Sequence, residues 1–417
     1  MNILSTGGQA DEPIRDGASA TSGMPSLPRE DLIYVIMAGG GTGGHLYPGL
    51  AVAQQLDQLL SSTGQQVKTV WAATPRKIDR RLLGGAGADY IEQDVKPFST
   101  NPFKWPAFYA AWQKSCRYWR DFFAQSQVAA VLALGGYAAG PASYEAAKVH
   151  IPVGLLNPDA LAGRANRFLM GRANVIFSQW PMGQSAGKNA NRIQVTGCPV
   201  RASLVRMNRA VAAEKLALDP NRRTLVVTGA SLGAQTINHA LAILLRDPEI
   251  QHLLMGAGDS PWQILHLTGL DHAGELQALA ARRPQVHWKI MDYCDDMAAV
   301  WSMADLAIAR AGAGTCAELS CMGVPAILMP YPFHKDHHQQ ANAEKLCAAG
   351  SAVVVRDSKN PAHNAADLKP VLMRLLTETD RLGEMALAAH SQARPDAAVT
   401  VARWLLQRVQ LKIGDQH

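Results

Sequence analysis

The sequence predicts a doubly wound α/β protein built from two Rossmann-like halves. An apolar, β-rich run ends in a glycine loop and passes into a helical pattern near the start of the chain, and the same grammar begins again past its midpoint. The length, 417 residues, suits two domains, and 48% hydrophobic against 18% charged residues gives each half material for a core. That balance excludes a mostly disordered chain, a coiled coil and a disulfide-stapled miniature.

In chain order, residues 1–30 are rich in Gly, Ser and Pro without hydrophobic period and read as a flexible tail. The first strand is expected over Leu32–Met37. The loop Gly39-Gly40-Gly41-Thr42-Gly43-Gly44 follows, then a helical pattern from Pro48 to Leu56. Further strands are expected at Val67–Ala72 and Val128–Leu134, the second ending in another glycine turn, Gly135-Gly136-Tyr137-Ala138-Ala139-Gly140-Pro141. Alternating strands and helices imply a parallel sheet. The second half opens with a strand at Thr224–Thr228, the turn Gly229-Ala230-Ser231-Leu232-Gly233-Ala234 and a helix over Thr236–Leu245. Later strands are expected at Val286–Ile290, Leu306–Ala309 and Ala326–Met329. Thr196–Arg201 reads as the hinge. Within Ala397–Val409, the positions Val399, Val401, Leu405, Leu406 and Val409 share one helical face. The expected division is a tail (1–30), an N-terminal domain (31–198), a C-terminal domain (199–395) and a closing helix with its tail (396–417).

The first residues lack an apolar signal region, and no run of about 18 apolar residues occurs, so a cytoplasmic chain without a spanning helix is expected. Six scattered cysteines without a CxxC pair read as reduced, mostly buried thiols. A net charge of +6 favours anionic partners: a nucleotide, a phosphorylated lipid, a membrane surface or nucleic acid.

Gly39, Gly41 and Gly44 spell G-x-G-x-x-G, which invites a dinucleotide reading. That reading needs an acid about 20 residues on to hold a ribose, and none occurs between Asp57 and Asp79. The loop still offers backbone amides to an oxyanion at a helix N-terminus. His45 directly after it supplies an imidazole able to take a proton from a hydroxyl near neutral pH. Considered alone, His45 is as well explained by a capping or surface role.

The string Gly39–Gly49, GGGTGGHLYPG, resembles the N-terminal signature of MurG-type transferases. These bacterial enzymes move N-acetylglucosamine from its uridine diphosphate carrier onto lipid I, giving lipid II. Matching motifs follow in order: Gly135-Gly136-Tyr137 with Gly140-Pro141, Gly197–Arg201, Gly229–Ala234, Asp295-Asp296-Met297, Arg310–Glu318, and His338-Gln339 with Asn342-Ala343. The resemblance spans roughly Val35 to Val409. It implies the GT-B fold, two Rossmann-like domains facing a cleft, with the acceptor on the N-terminal side and the nucleotide sugar on the C-terminal side.

It also implies roles. His45 is the catalytic base or the residue that positions it. Donor contacts fall to Thr42, Gly43, Gly44, Arg201, Ser231, Cys294, Ala313, Gly314, Thr315, Glu318, His338 and Gln339. Among them Glu318 holds the ribose diol, Ser231 and Arg201 meet the diphosphate, Tyr293 and Cys294 frame uracil, and Gln339 with His338 meets the transferred sugar. Tyr137 and Asp159 fall on the acceptor side. Thr315-Cys316-Ala317-Glu318 equally fits a capping box. One departure stands out: where many members carry His-Glu-Gln-Asn, this chain has Leu156-Asn157-Pro158-Asp159, so an Asp replaces the familiar Asn, and Asp159 could orient His45.

The run His334–Gln340 places His334 and His338 four apart, but the ligand set is thin, and neither metal nor cofactor is expected. Residues 96–120 interleave eight aromatics with five basic residues and no acid. They read either as a helix packed on its own domain or as a surface that dips into an anionic leaflet. The expected partners are UDP-N-acetylglucosamine, lipid I and an anionic membrane surface, without nucleic acid, and the expected place is peripheral on the inner face of the cell membrane. Three rivals stay open: a transferase with another lipid acceptor, a UDP-sugar epimerase of the same fold, and a non-catalytic nucleotide-sugar binder.

Overall fold

The computed structural model describes residues 32–61, 64–229, 233–256, 261–269, 272–282, 285–333 and 336–414. The N-terminal sheet comprises β1 (Ile33–Gly39), β2 (Val67–Ala73), β3 (Asp89–Glu92), β4 (Gln127–Gly135), β5 (Val153–Asn157), β6 (Val175–Ser178) and β7 (Ile193–Val195). The C-terminal sheet comprises β8 (Arg223–Thr228), β9 (Trp262–Leu267), β10 (Trp288–Met291), β11 (Ala304–Ala309), β12 (Ala326–Leu328) and β13 (Ala352–Val354). Both are parallel, in the orders β3-β2-β1-β4-β5-β6-β7 and β10-β9-β8-β11-β12-β13.

Each sheet is buried on both faces, which is why its strands are nearly unbroken apolar runs. In β1, Tyr34, Ile36 and Ala38 join one cluster with Trp119, Phe122 and Val131, while Ile33, Val35 and Met37 join another with Leu46, Leu56 and Leu132. In β8, Leu225 and Val227 face Ile237 and Leu241, and Val226 faces Leu265 and Val300. This alternation with period two divides the helices between two layers.

Strand order reverses between β1 and β4 and again between β8 and β11. In open α/β sheets the ligand crevice lies at such a switch point, beyond the carboxyl ends of the strands. The four glycine-containing turns seen in the sequence follow these four strands, and Gly39 of β1 sits in register with Gly135 of β4. The fold therefore delivers these four glycine-containing turns to the two crevice rims.

Three expectations need adjustment. The first helix, Gly43–Ser61, begins earlier than the pattern suggested, so His45 lies within its first turn. The strand expected at Val286 begins at Trp288. The helix carrying Glu318 spans Ala313–Met322 with Gly312 as N-cap, so Thr315 is already helical and no capping box forms. The tail expected at 1–30 lies outside the described residues.

The closing helix, Ala397–Gly414, returns to the N-terminal domain: Val401, Ala402, Leu405 and Val409 are buried with Val35, Met37 and Leu132. Trp404 meets Phe177 edge-on at 5.8 Å. The chain thus crosses between domains twice, and the crossings touch. Gly197, at φ +90°, lies where any side chain would overlap that of Arg394.

Candidate active site

The N-terminal rim is built around a buried carboxylate. Asp79 is fully buried; its oxygens accept the Gly41 amide at 2.8 and 2.9 Å, the Thr74 amide at 2.9 Å and the Thr74 hydroxyl at 2.7 Å. A side chain at Gly40 would overlap Asp79, and Gly41 takes φ +85°, so the tight approach requires glycine at both places. Arg76 Nη1 donates to Gly41 O at 2.9 Å, and its guanidinium lies over the Tyr137 ring. The loop is clamped from the end of β2, by residues that the sequence alone did not single out.

That clamp fixes His45. Its Nδ1 lies 3.3 Å from Gly40 O and 3.1 Å from Thr42 Oγ1. A carbonyl can only accept, so Nδ1 carries the proton and Nε2 keeps its lone pair. The ring is lodged against Gly135 and Gly136, both at positive φ; a Cβ there would come within 3.0 and 3.1 Å of it. The second glycine turn is thus the slot for the imidazole. Burial lowers the His45 pKa, against the pull of Asp159, the Gly40 carbonyl and Asp79. At neutral pH the group is an uncharged base.

The C-terminal rim begins at the helix Ala313–Met322. Gly314 and Thr315 occupy its first turn, where free amides and the helix dipole favour an anion. One turn on, Glu318 is partly buried, with its carboxyl group largely desolvated. That desolvation raises its pKa, with the Trp301 indole N–H (2.9 Å to Oε2) and Arg201 opposing. The Arg201 guanidinium lies over the Tyr47 ring and also lines a cavity of about 350 Å³ together with Lys215, Asp295 and Asp296. Asp296 caps the helix Met297–Met303 through the Ala299 amide at 3.0 Å and pairs with Lys215 at 2.7 Å. Cys294 is half-buried, and burial pushes its thiol pKa up, which argues for packing over reactivity. Gln339 Oε1 accepts the Tyr331 amide at 2.9 Å. Ser231 and His334 lie outside the described residues.

The two rims meet. The Tyr47 and Tyr293 hydroxyls are 3.1 Å apart, with Arg81 over the Tyr293 ring. Asn342 Nδ2 donates to Asp159 Oδ1 at 2.9 Å, and Ala160 N donates to Asn342 Oδ1 at 2.8 Å. His338 Nδ1 lies 3.5 Å from Asp159, and its Nε2 lies 3.0 Å from Asp336. Asp159 thus spends its carboxylate across the seam. His45 is held by Gly40 and Thr42, so the orienting role imagined for Asp159 falls to them. Asn157, at the end of β5, turns inward and accepts from Asn166 Nδ2 at 3.1 Å. No group of three or more His, Cys, Asp or Glu among the described residues is arranged to hold a metal ion.

Residues 35–178 match the glycosyltransferase family 28 N-terminal domain, and residues 224–401 match the family 28 C-terminal domain. The chain belongs to glycosyltransferase family 28. Within the family, the UDP-N-acetylglucosamine--N-acetylmuramyl-(pentapeptide) pyrophosphoryl-undecaprenol N-acetylglucosamine transferase of Alkalilimnicola ehrlichii is 35% identical, over 89% of this chain and 98% of its own. The same-named protein of Halorhodospira halophila is 33% identical, over 88% and 96%. The crystal structure of Acinetobacter baumannii MurG superposes with a TM-score of 0.65 at 30% identity, covering 90% of this chain and 99% of that one. A UDP-GlcNAc 2-epimerase from Neisseria meningitidis, bound to UDP-GlcNAc, reaches a TM-score of 0.59 at only 14% identity, which is likeness of fold alone. The family 28 assignment makes this chain a glycosyltransferase of GT-B fold and sets the epimerase rival aside.

Proposed function

We propose that this family 28 chain transfers N-acetylglucosamine from UDP-N-acetylglucosamine to the C4 hydroxyl of the muramoyl sugar of lipid I, giving lipid II with inversion at the anomeric carbon. The observation that carries the catalytic part is the state of His45: an uncharged imidazole, protonated on Nδ1 by its bond to Gly40 O, with Nε2 as the basic nitrogen. In this reading Nε2 takes the proton of the acceptor hydroxyl while that oxygen attacks the anomeric carbon from the face opposite the diphosphate. The bond between that carbon and the diphosphate oxygen breaks, and UDP leaves with its electron pair. Amides at Ala313, Gly314 and Thr315, with the loop Thr42-Gly43-Gly44, stabilise the charge that develops there. Arg201 and Ser231 complete the diphosphate site. Glu318 takes the ribose diol, Tyr293 and Cys294 frame the uracil, and His338 and Gln339 grip the sugar. Residues 31–198 serve the acceptor, with Tyr137 and Asp159 on that side, and residues 199–395 serve the donor.

The exposed start of the helix Trp105–Gln125 supports a peripheral seat on the inner face of the cell membrane, beside a lipid-linked acceptor. No helix among the described residues is long and apolar enough to cross a membrane.

The test is transfer of labelled N-acetylglucosamine from UDP-N-acetylglucosamine to lipid I in detergent. His45→Ala is expected to lower kcat by about 10²–10⁴, the usual worth of a general base, with UDP affinity unchanged. Glu318→Ala is expected to weaken UDP binding by about tenfold to a hundredfold, as the loss of hydrogen bonds to a charged group should. Small and equal effects from both changes would refute these roles. Because His45 titrates below its ordinary value of 6.5, kcat/KM should hold through pH 6.5 and fall only at lower pH, where the imidazole takes a proton.

A further inference from the structure

Asn342 is wholly buried at the domain seam, and each polar atom of its carboxamide is used. Oδ1 takes the Ala160 amide, while Nδ2 donates to Asp159 Oδ1 and, at 3.0 Å, to Ala311 O. Two of these three partners belong to the opposite domain. Four residues earlier, on the same helix His338–Ala348, the His338 ring lies beside Gly163, close enough that a Cβ there would come within 3.6 Å of Cε1. Its nitrogens face one carboxylate each: Asp159 across the seam at 3.5 Å, and Asp336 on its own side at 3.0 Å. The two carboxylates differ in setting. Asp336 is well exposed, whereas Asp159 is held by Asn342.

We propose that Asp159 is a positioning residue: from the acceptor-side domain it fixes the imidazolium of His338 and the head of its helix, so that the donor's sugar is gripped by an element aligned from the opposite wall. The inference rests on reading His338 and Gln339 as the sugar-binding pair. A sugar hydroxyl displaces the exposed Asp336 from Nε2, while Asp159 keeps Nδ1 and holds the charge. The other charged or titratable groups facing His338 are Arg167, on the helix Arg164–Met170, and His45, on the helix Gly43–Ser61. Around Asp159 stand His338, His45 and the thiols of Cys198 and Cys316, which burial keeps protonated. Asp159 raises the pKa of His338 above its ordinary value, so the charged grip extends to higher pH than a free imidazole would allow and is lost as pH rises through the shifted value.

The experiment is calorimetric titration of the full chain with UDP and with UDP-N-acetylglucosamine, using wild type, Asp159→Asn, His338→Gln and the double variant. Asparagine preserves shape and still accepts from Asn342, so folding is kept. Asp159→Asn is expected to raise Kd for UDP-N-acetylglucosamine about tenfold, an effect between that of a surface and a buried ion pair, and to change Kd for UDP by less than about twofold. In the His338→Gln background the same change should add nothing, because the residue acts through His338. In turnover, the alkaline limb of kcat/KM should move to lower pH in Asp159→Asn; a merely structural residue would lower kcat without moving it. Equal loss for both ligands, additive variants or an unmoved limb would each overturn the inference. If wild type makes no lipid II yet the binding pattern holds, the proposed reaction fails and the role of Asp159 stands.

Discussion

Asp79 shows what one residue contributes beyond its type. Its two oxygens meet four donor contacts in a fully buried site, and the loop they fasten carries the carbonyl that sets the tautomer of His45. Asp79→Asn places an NH₂ where only acceptors are satisfied, leaving a buried donor unpaired. A loss of about 1–3 kcal/mol in unfolding free energy is expected. Turnover should fall while UDP affinity stays unchanged, measured by urea unfolding and transfer kinetics on one preparation. Retained turnover would show that the loop keeps its shape without the clamp. The sequence made His45 visible because an imidazole after six loop residues rich in glycine is a local pattern. Asp79 was legible only as an acid too late for a ribose, because its partnership with Gly41 spans 38 positions and exists only once β1 and β2 pair. The link between Asp159 and Asn342, 183 positions apart, was hidden for the same reason.

Elements were legible where their chemistry repeated. Strands β1, β2, β4, β8, β11 and β12 announce themselves by β-branched and apolar runs ended by glycine, alanine or proline-bearing turns, and they include the four strands at the two switch points. Strand β9 did not, although all six residues, Trp262-Gln263-Ile264-Leu265-His266-Leu267, are buried. Its Gln and His break the apolar run, and only the folded protein supplies their partners. Gln263 Nε2 donates to Asp219 O at 2.7 Å and to Thr224 Oγ1 at 3.0 Å, while His266 Nε2 meets Asn238 Oδ1 at 3.0 Å. Burial pulls the His266 pKa down to about 3. The unfolded chain binds that proton near pH 6.5 and the fold refuses it, so the penalty begins as pH falls through 6.5 and grows toward pH 3. At pH 5 it amounts to about 2 kcal/mol. His266→Leu forfeits a hydrogen bond and is expected to be less stable at pH 7.5. Its further loss between pH 7.5 and 5 should be smaller than that of wild type by about this amount. Equal losses in both proteins, read from urea midpoints at the two pH values, would place the acid-sensitive group elsewhere.

At the scale of the molecule, one exposed face of the N-terminal domain is set by how one helix divides its aromatics. Trp119, Phe122 and Phe123 of the helix Trp105–Gln125 are buried against β1 and β4, and Trp119 Nε1 donates to Gln93 Oε1 at 2.8 Å. The opposite end emerges: Phe103 is 93% exposed, with Phe98, Trp105 and Tyr109 beside it and Lys96 and Lys104 exposed among them. The far end of the helix is therefore packed on its own domain, while the start is left as an exposed aromatic and basic surface, a division that composition alone could not place. Exposed rings flanked by cations suit an anionic bilayer interface, where ring burial and charge attraction act together. The closing helix packs on the same domain, and its crossing meets the first at Gly197 and Arg394, so the two crossings between domains lie side by side. Phe103→Ser with Trp105→Ser removes exposed apolar surface and touches no core cluster. Co-sedimentation with vesicles of phosphatidylglycerol and phosphatidylethanolamine is expected to fall about tenfold or more, each ring contributing on the order of 1 kcal/mol or above at the interface. The thermal midpoint should stay within about 2 °C of wild type, as for surface changes within about 0.5 kcal/mol, and transfer to a short-chain, water-soluble acceptor should be undiminished. Unaltered vesicle binding would move the anchoring surface away from this helix, while loss of turnover on the soluble acceptor would tie the rings to catalysis itself.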